Sequence, residues 1–354
     1  MNFFYKHITF FKKNIMTAFL LLTLIFTSGC SKITYEPISE SGFYFNTVIS
    51  VTIYDPSKEH LLEECFSLAK HYENLFSRTI ADSDISKINN AKGSPVTVSD
   101  ETIEILEIGL TYCELSEGKF DLTIGALSDL WDFSTKALIA EEEMSEAYLP
   151  SEDAIQTALS TVDYHAVQID GTTVTLTNPN AAIDLGGIAK GYIADKMKAF
   201  LNENGVTSGY INLGGNVLAL GPKDSSQTES TYTIGVQKPF DENGNAICAV
   251  KITDETVVSS GVYERYFVVD DTRYHHLLDT STGYPISNDL LGVTIITTSS
   301  VDGDALSTTC FALGLEDGLA LIESLPDTEA IFITSDYKMH NSSGIGTSIP
   351  CRSY

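Results

Sequence analysis

One stretch of the sequence, residues 181–191 (AAIDLGGIAKG), combines an acid, two glycines and a lysine at spacings that could hold an anion. Its pattern predicts a short strand that ends near Asp184, a bend at Gly186 and Gly187, and a helix with Lys190 in its first turn. Glycines at such a bend let a ligand approach the backbone, and the free N–H groups at a helix start favour an anion. The stretch therefore indicates either a pyrophosphate site or only a tight turn beside a solvated lysine.

A second stretch, residues 301–309 (VDGDALSTT), offers oxygen donors for a cation. Asp304 and Thr308 are four residues apart and share one face of a predicted helix. A carboxylate and a hydroxyl, together with a backbone carbonyl and water, are ligands that Mg²⁺ accepts. The alternative is that Asp302 or Asp304 only caps the helix and that Thr308 is a buried hydroxyl.

A third stretch, residues 274–285 (YHHLLDTSTGYP), contains two adjacent histidines. Neighbouring residues on a strand point to opposite faces, so only one of His275 and His276 can face a given site. A neutral histidine can accept a proton from a hydroxyl group near neutral pH. The alternative for either histidine is a partly buried structural role.

A fourth stretch, residues 116–133, contains the only tryptophan of the chain within a dense apolar run. Trp131 and Phe133 could line a ring-shaped ligand, but large aromatic side chains also fill protein cores. The sequence alone leaves both possibilities open.

These stretches need a framework, and the hydrophobic periodicity predicts more strands than helices. Helices are predicted over residues 58–76, 101–115 and 188–203, with a pair over 304–325. Strands are predicted over residues 43–53, 167–176, 181–185, 232–237, 249–252, 265–269 and 293–298. This order indicates an α+β fold, with antiparallel or mixed sheets packed against helices, and argues against a doubly wound parallel sheet.

The composition excludes some classes of function. The 354 residues include 43% apolar side chains, which is enough for a folded core. The 48 acidic and 21 basic side chains give a net charge of −27, so the chain repels phosphate backbones and nucleic-acid binding is not expected. Any bound anion must therefore be met locally, by a helix start, a lysine or a bound cation.

The first 29 residues are typical of a secretory signal. Three lysines precede the apolar run 17–26, which is too short to be a permanent transmembrane helix. Small residues directly before Cys30 resemble a bacterial lipobox, in which the cysteine is lipidated; the alternative is an ordinary cleaved signal with a chance cysteine. We expect a signal over 1–29, a lipid anchor and linker over 30–42, and one domain over 43–354. The five later cysteines are scattered and are expected to be buried or free thiols.

The sequence resembles the ApbE-type FAD:protein FMN transferases over residues 45–334. Eight motifs stand in that family's order and spacing: FNTVISVTIYD, FSRTIADSDISKIN, GKFDLTIGALSDLW, IDLGGIAKGYIADK, INLGGNVLALG, SSGVYERYF, YHHLLDTSTGYPISN and VDGDALSTT. The resemblance implies an ApbE-like, T-fold-related architecture. It also implies Mg²⁺-dependent transfer of FMN from FAD to a Ser/Thr hydroxyl of an extracytoplasmic acceptor redox protein, with release of AMP. Such a protein would be held on the outer face of the cell (inner) membrane through lipid on Cys30.

The resemblance also implies roles for individual residues of this chain. The positions that match FAD neighbours are Phe45, Thr79, Lys119, Phe120, Asp121, Asp184, Lys190 and Leu278. The Mg²⁺ ligands would be the backbone carbonyl of Gly187 and the side chains of Asp304 and Thr308, and His276 matches the proposed catalytic base. Thr79 stands where many members have an aromatic residue on the adenine side.

Two other functions would use many of the same residues. An FAD pyrophosphatase would direct water instead of a hydroxyl group at the phosphorus, and a non-catalytic lipoprotein would only bind a flavin or another solute. Mg²⁺-dependent release of AMP separates these possibilities, because the binding protein releases none and the pyrophosphatase needs no acceptor.

Overall fold

The strands of this protein pair antiparallel throughout the named sheets. The computed structural model describes residues 36–139, 143–223, 230–241 and 243–354. In chain order, its strands are β1 (Ile38–Tyr44), β2 (Thr47–Ile53), β3 (Val96–Thr97), β4 (Val167–Asp170), β5 (Thr173–Leu176), β6 (Gly209–Leu213), β7 (Asn216–Leu220), β8 (Tyr232–Gln237), β9 (Ala246–Ile252), β10 (Thr256–Gly261), β11 (Tyr266–Val269), β12 (Thr272–His275), β13 (Leu290–Thr297), β14 (Thr328–Thr334), β15 (Met339–Asn341) and β16 (Cys351–Ser353). The largest sheet has eight strands in the order β1-β2-β6-β7-β10-β13-β14-β15, and smaller sheets are formed by β16-β9-β8, β3-β5-β4 and β11-β12.

Helices cover one face of the eight-stranded sheet. In chain order, the helices of the described residues are α1 (His60–Phe76), α2 (Asp84–Asn90), α3 (Asp100–Leu115), α4 (Gly125–Trp131), α5 (Phe133–Lys136), α6 (Glu152–Leu159), α7 (Ala189–Glu203), α8 (Ser300–Leu313) and α9 (Leu315–Ser324), and of these α1, α7, α8 and α9 contact the sheet. α7 and α8 pack together, and α8 lies on β10 and β13. Their inward side chains, such as Tyr192 and Phe311, are fully buried in the main core with Ile295 of the sheet. Each such side chain contributes about 1.5–3 kcal/mol by leaving water.

The opposite face of the sheet packs against β8, β9 and β16. Because successive strand residues point to opposite faces, Val257 and Ile296 lie on this side, while their neighbours Val258 and Ile295 point to the other side. The second core joins Val257 and Ile296 to Val250 of β9. The eight-stranded sheet is therefore the middle layer of three.

A third cluster fixes the β11-β12 hairpin against α4 and α5. Trp131 stacks on Phe133, and both rings contact Phe267 of β11. The indole N–H of Trp131 donates to the Gly283 carbonyl at 2.8 Å. Trp131 is 1% exposed. The core interpretation of this aromatic stretch is thus the correct one, and the cluster positions the histidine strand.

The predicted α+β class and every predicted helix are confirmed, with helix ends shifted by one or two residues outside the 304–325 pair. That pair begins four residues earlier, at Ser300, and is split at Gly314, which has a φ of 84°. Gly314 ends α8 in the left-handed region, where glycine carries no steric cost.

Three strand predictions need correction. Residues 43–53 form a hairpin and not one strand, because Phe45 and Asn46 turn the chain with φ values of 53° and 56°. β1 starts at Ile38, inside the segment 30–42 that was assigned to the linker. Residues 167–176 are likewise a hairpin, with a turn at Gly171.

The third correction is the strand predicted over 181–185, which forms only an isolated bridge between Ala182 and Ile124. The Asn89 side chain takes the place of a strand partner: it donates to the Ile183 carbonyl at 3.0 Å and accepts from the Ile183 N–H at 2.7 Å. An alternating apolar pattern cannot reveal a side chain that replaces a strand.

The predicted signal over 1–29 and the lipid-bearing Cys30 lie outside the described residues. In the described part, no helix is long and apolar enough to cross a membrane. Residues Pro37–Tyr354 form one compact unit. The five thiols within it are free, and all except the half-buried Cys351 are buried, as expected.

Candidate active site

The start of α7 has the bend that the sequence predicts. The Asp184 carboxylate accepts a hydrogen bond from the Gly186 N–H at 2.8 Å, which closes the turn. α7 begins two residues beyond Gly187. Gly191, in the first turn, lets α7 cross α8 closely, because a Cβ there would lie 2.1 Å from the Ser300 carbonyl oxygen. The twin-glycine bend is therefore held directly beside the first turns of α8.

Asp304 of α8 is the buried charge at this crossing. It is 3% exposed, and its Oδ2 accepts a hydrogen bond from the Gly191 N–H at 2.9 Å. Its Oδ1 lies 3.2 Å from the Lys190 Nζ. A desolvated carboxylate needs such partners to remain charged. The structure thus brings Lys190 and Asp304, predicted from separate motifs, into one ion pair.

Gly187 and Thr308 meet on the other side of the bend. A Cβ added to Gly187 would lie 3.5 Å from the Thr308 Oγ1 and 3.0 Å from the Phe120 ring. The Thr308 hydroxyl lies 3.3 Å from the Ser260 Oγ, which in turn lies 2.7 Å from the Ser307 Oγ. A backbone bend, a hydroxyl and a buried carboxylate one helix turn away are hence gathered in one place.

This donor set suits Mg²⁺, which usually takes one or two carboxylates and completes its shell with water and substrate phosphates. The three predicted ligands all offer oxygen, and the absent Cβ of Gly187 leaves room close to Thr308. In the described residues, no group of three or more His, Cys, Asp or Glu side chains forms a ready-made metal cage. A magnesium ion bound here would therefore depend on the substrate for part of its shell.

His276 is half-buried and follows directly after β12. Its Nδ1 lies 3.3 Å from the Arg265 carbonyl oxygen, which also accepts the His276 backbone N–H at 3.1 Å. A carbonyl oxygen can only accept, so we assign the ring proton to Nδ1, which leaves the Nε2 lone pair free. Burial lowers the pKa of His276 to about 3, and the positive charges of Arg265 and Lys190 add to this effect. The imidazole is thus neutral, and its Nε2 carries no proton.

His275 points to the other face and has a structural role. It is 7% exposed, its Nε2 lies 3.1 Å from the Ile286 carbonyl oxygen, and its buried Nδ1 has no hydrogen-bond partner among the residues that the structure describes. Burial lowers the pKa of His275 to about 4. The strand argument, which allowed only one histidine to face the site, is consistent with this arrangement.

The predicted FAD neighbours 119–121 differ in their surroundings. Lys119 is exposed, whereas Phe120 is buried beside Gly187. Asp121 is 8% exposed, and its carboxylate accepts hydrogen bonds from the N–H and hydroxyl of Thr123 and from the Tyr164 N–H. Burial raises the pKa of Asp121, although these hydrogen bonds oppose that shift. Asp121 therefore shapes the loop, and Lys119 is the group that is free to contact a ligand.

Phe45, Thr79 and Leu278 have contacts with other parts of the protein. The half-buried Phe45 is in the turn between β1 and β2, with its N–H donating to Glu73 at 2.7 Å, and Thr79 is exposed beside Ser77. Leu278 is 8% exposed and belongs to the Trp131 cluster. Within the described ranges, no hydrogen bond or ion pair links these three residues to Asp304, Thr308 or Lys190.

Sequence reasoning missed two charged residues near the site. Arg78 donates to the Gly125 carbonyl at 3.0 Å, and its Nη1 lies 3.1 Å from the Asp129 carboxylate and 3.6 Å from that of Asp184. It therefore ties the loop after α1 to the strand-like segment that precedes the bend. Its place in the FSRTIAD motif was a signal, but nothing in that motif shows that residue 78 meets residue 184.

Glu264 is the second missed residue, and it follows β10 in the SSGVYERYF motif. Its side chain is exposed, but partial desolvation by neighbouring protein atoms raises its pKa to about 7, while Lys190 and Arg265 oppose the shift and Asp304 adds to it. The carboxyl group therefore lies in the electrostatic field of the Lys190–Asp304 pair. As the only acid of its motif, it could have been singled out from sequence.

Comparisons with known proteins all match the chain to one family. The model of the ApbE family matches residues 45–332. An FAD:protein FMN transferase of Klebsiella pneumoniae is 38% identical over 281 residues, which cover 78% of this chain and 83% of the relative. A Treponema pallidum protein of the same description is 33% identical over 87% of both chains. Among solved structures, the ApbE protein of Thermotoga maritima matches with a TM-score of 0.77 at 30% identity, covering 87% of this chain and 97% of that one. The flavin transferase ApbE of Vibrio cholerae matches with a TM-score of 0.75 at 25% identity and the same coverage.

Proposed function

The chain belongs to the ApbE family of flavin transferases, and we propose that it transfers FMN from FAD to a serine or threonine hydroxyl of an extracytoplasmic redox protein, releasing AMP. The observation that carries this proposal is the grouping of a buried carboxylate, a lysine and a helix start, with a neutral histidine close enough for the Lys190 charge to lower its pKa. A dinucleotide needs positive partners for its pyrophosphate, and a hydroxyl nucleophile needs a proton acceptor.

The start of α7 is suited to the pyrophosphate. The first N–H groups of a helix lack intrahelical acceptors and point toward an anion, and the Lys190 ammonium lies at the same end. Gly187, Asp304 and Thr308 would hold Mg²⁺, which when bound would neutralise phosphate charge and polarise phosphoryl oxygens. Such local devices offset the net charge of −27, which otherwise repels the substrate.

His276 is suited to activate the acceptor hydroxyl. In the proposed reaction the acceptor oxygen bonds to the phosphorus on the riboflavin side, and the bond from that phosphorus to the bridging oxygen breaks. AMP leaves with the bridging oxygen, and the hydroxyl proton moves to the His276 Nε2. The Arg265 carbonyl orients the imidazole through Nδ1, so that the lone pair faces away from the backbone. Nearby substrate phosphates would raise the pKa of His276 and strengthen it as a base.

We also propose that lipid on Cys30 attaches the protein to the outer face of the cell membrane. The support is the sequence itself: a signal-like run ends in small residues directly before a cysteine. Replacing Cys30 by serine is expected to abolish incorporation of labelled fatty acid and to release the protein from the membrane fraction. Unchanged labelling of that variant would refute the anchor.

The transferase is tested by incubating the purified protein with FAD, MgCl₂ and an acceptor domain that offers a threonine. The expected products are an acceptor that carries one FMN in phosphodiester linkage, heavier by FMN less one water, and an equal amount of AMP. An acceptor whose threonine is replaced by alanine should stay unmodified. Release of AMP and FMN without acceptor modification would instead indicate a pyrophosphatase, and retention of intact FAD a binding protein.

A further inference from the structure

Lys190 occupies the carboxylate oxygen of Asp304 that a cation would need. We propose that this ammonium is an exchangeable counter-ion: it neutralises Asp304 when no divalent cation is bound and moves to the pyrophosphate when a cation takes its place. The inference rests on the proposed function, because it assumes that a dinucleotide and a divalent cation both bind at the start of α7 beside Asp304.

The two oxygens of Asp304 are held differently. The Oδ2 accepts the Gly191 N–H at 2.9 Å, and this donor is fixed because Gly191 of α7 packs directly against the α8 backbone at Ser300. The Oδ1 is engaged at 3.2 Å by the Lys190 Nζ, the end of a flexible side chain. A divalent ion at the Oδ1 would lie beside the ammonium. Repulsion between the two cations next to the buried Asp304 would displace the lysine side chain.

Few contacts oppose this movement of Lys190. Among the described residues, its Nζ has one further hydrogen bond besides that to Asp304, a long one of 3.4 Å to the Gly186 carbonyl, and its side chain is 29% exposed. Lys196, on the same helix, has similar exposure at 32% but is bound to both Glu104 carboxylate oxygens at 2.8 Å and lies over the Tyr192 ring. The two lysines thus form a natural pair of test and control.

The exchange couples metal binding to dinucleotide binding. Without dinucleotide, a cation must displace Lys190 into solvent, so metal binding is weak. With FAD bound, the displaced ammonium gains a phosphate partner, so metal binding is stronger. By linkage, the cation strengthens FAD binding by the same factor, and such couplings are commonly about 5- to 150-fold.

Mn²⁺ binding to the full protein without FAD, followed by the EPR signal of the free ion, tests the exchange. Lys190→Met removes the competing charge and is expected to bind Mn²⁺ about tenfold more tightly than wild type. Lys190→Arg, which keeps the charge, and Lys196→Met, which removes a charge elsewhere on α7, should both bind like wild type. Mn²⁺ binding to Lys190→Met that is no tighter than wild type would overturn the proposal, as would equal tightening in Lys190→Arg.

A second measurement follows the coupling. FAD should lower the Kd for Mn²⁺ more in wild type than in Lys190→Met, and FAD alone should bind Lys190→Met more weakly. An equal effect of FAD on both proteins would overturn the exchange. Because no acceptor is present, a failure of FMN transfer would refute the proposed function without changing these results. Far-UV circular dichroism checks folding, and Lys190→Gln offers a second neutral side chain should Lys190→Met not fold.

Discussion

The two ends of the candidate FAD site are built in different ways. At the α7–α8 crossing, Asp304, Lys190 and Gly191 are joined by an ion pair and a backbone hydrogen bond, with Asp304 almost fully buried. At the other end, Phe45 lies half-buried in a hairpin turn and Thr79 is exposed. The contrast shows that the charged groups are already paired within the folded protein, whereas the Thr79 side chain is left exposed to solvent.

The reason is energetic. A buried carboxylate without partners costs several kcal/mol, so its partners must be in place in the folded protein. Preorganised charges also spare the reaction the work of reorienting dipoles. Thr79 and Phe45 carry no charge, so leaving them without a ligand has no comparable energetic cost.

The largest effect at the α7–α8 crossing is expected from Asp304→Ala. Transfer should fall by about 10³-fold or more, since the variant removes both the predicted metal ligand and the partner of Lys190. The fold should remain, because α8 keeps its packing on β10 and β13. FMN incorporation is followed by mass spectrometry and folding by circular dichroism.

Asp302→Ala is the matched control for this prediction. Asp302 is an acid on the same helix, but its carboxylate accepts a hydrogen bond of 2.7 Å from the Tyr112 hydroxyl and is not the partner of Lys190. Its loss should leave transfer within a few-fold of wild type. Full activity of Asp304→Ala with Mg²⁺ as the sole metal would remove the metal assignment.

A smaller but still large effect is expected from His276→Ala. Loss of the proton acceptor should lower kcat by about 10²-fold and change the KM for FAD little, because general-base catalysis contributes mainly in the transition state. His165→Ala, which alters an exposed histidine paired with Asp163, should turn over normally. Turnover of His276→Ala at the wild-type rate would leave this histidine without a catalytic role.

Much of the α7–α8 crossing could be predicted from sequence, because its residues lie within short motifs. The i, i+4 spacing of Asp304 and Thr308 fixes a shared helix face, and the glycine pair marks the bend before Lys190. The ion pair between Lys190 and Asp304 joins residues 114 positions apart, and neither motif states that distance. It depends on the crossing of α7 and α8 at Gly191, which is a property of tertiary packing.

The positions of Phe45 and Arg78 could be predicted less well, because they also depend on features that the local pattern does not show. The continuous alternation of residues 43–53 concealed the turn at Phe45, because apolar residues such as phenylalanine rarely adopt positive φ values. Arg78 was missed because its partners, Asp129 and Asp184, come from two other segments of the chain.

His275 precedes the proposed base His276 in the chain, and its burial should affect the stability of the protein. Its pKa is about 4 in the folded protein and about 6.5 when unfolded, so the unfolded state binds more protons between these values. As far as His275 is concerned, the free energy of unfolding is therefore highest above about pH 6.5. It falls by about 3 kcal/mol in all as the pH drops toward 4. Urea unfolding of wild type and His275→Gln at pH 7 and pH 5 measures the difference.

The variant isolates His275 from the other titrating groups, among which His276 acts with the same sign. Wild type should lose more stability than His275→Gln between the two pH values. Parallel losses in the two proteins would mean that His275 is not neutral in the folded state.

The smallest effect sharpens the open end. Thr79 stands where an aromatic residue is expected to stack on adenine, and its exposed side chain contacts mainly the Ser77 hydroxyl at 3.0 Å. Thr79→Tyr should therefore tighten FAD binding by about two- to tenfold, the range that an added aromatic contact supplies, without changing kcat. Thr111→Tyr places the same ring at an exposed position on α3, where the threonine bonds only to the Glu107 carbonyl, and should leave FAD affinity unchanged. Affinities are compared by quenching of flavin fluorescence. If Thr79→Tyr binds FAD no better than Thr111→Tyr, residue 79 lies beyond the reach of the dinucleotide, and the open end of the site must be sought elsewhere on the rim.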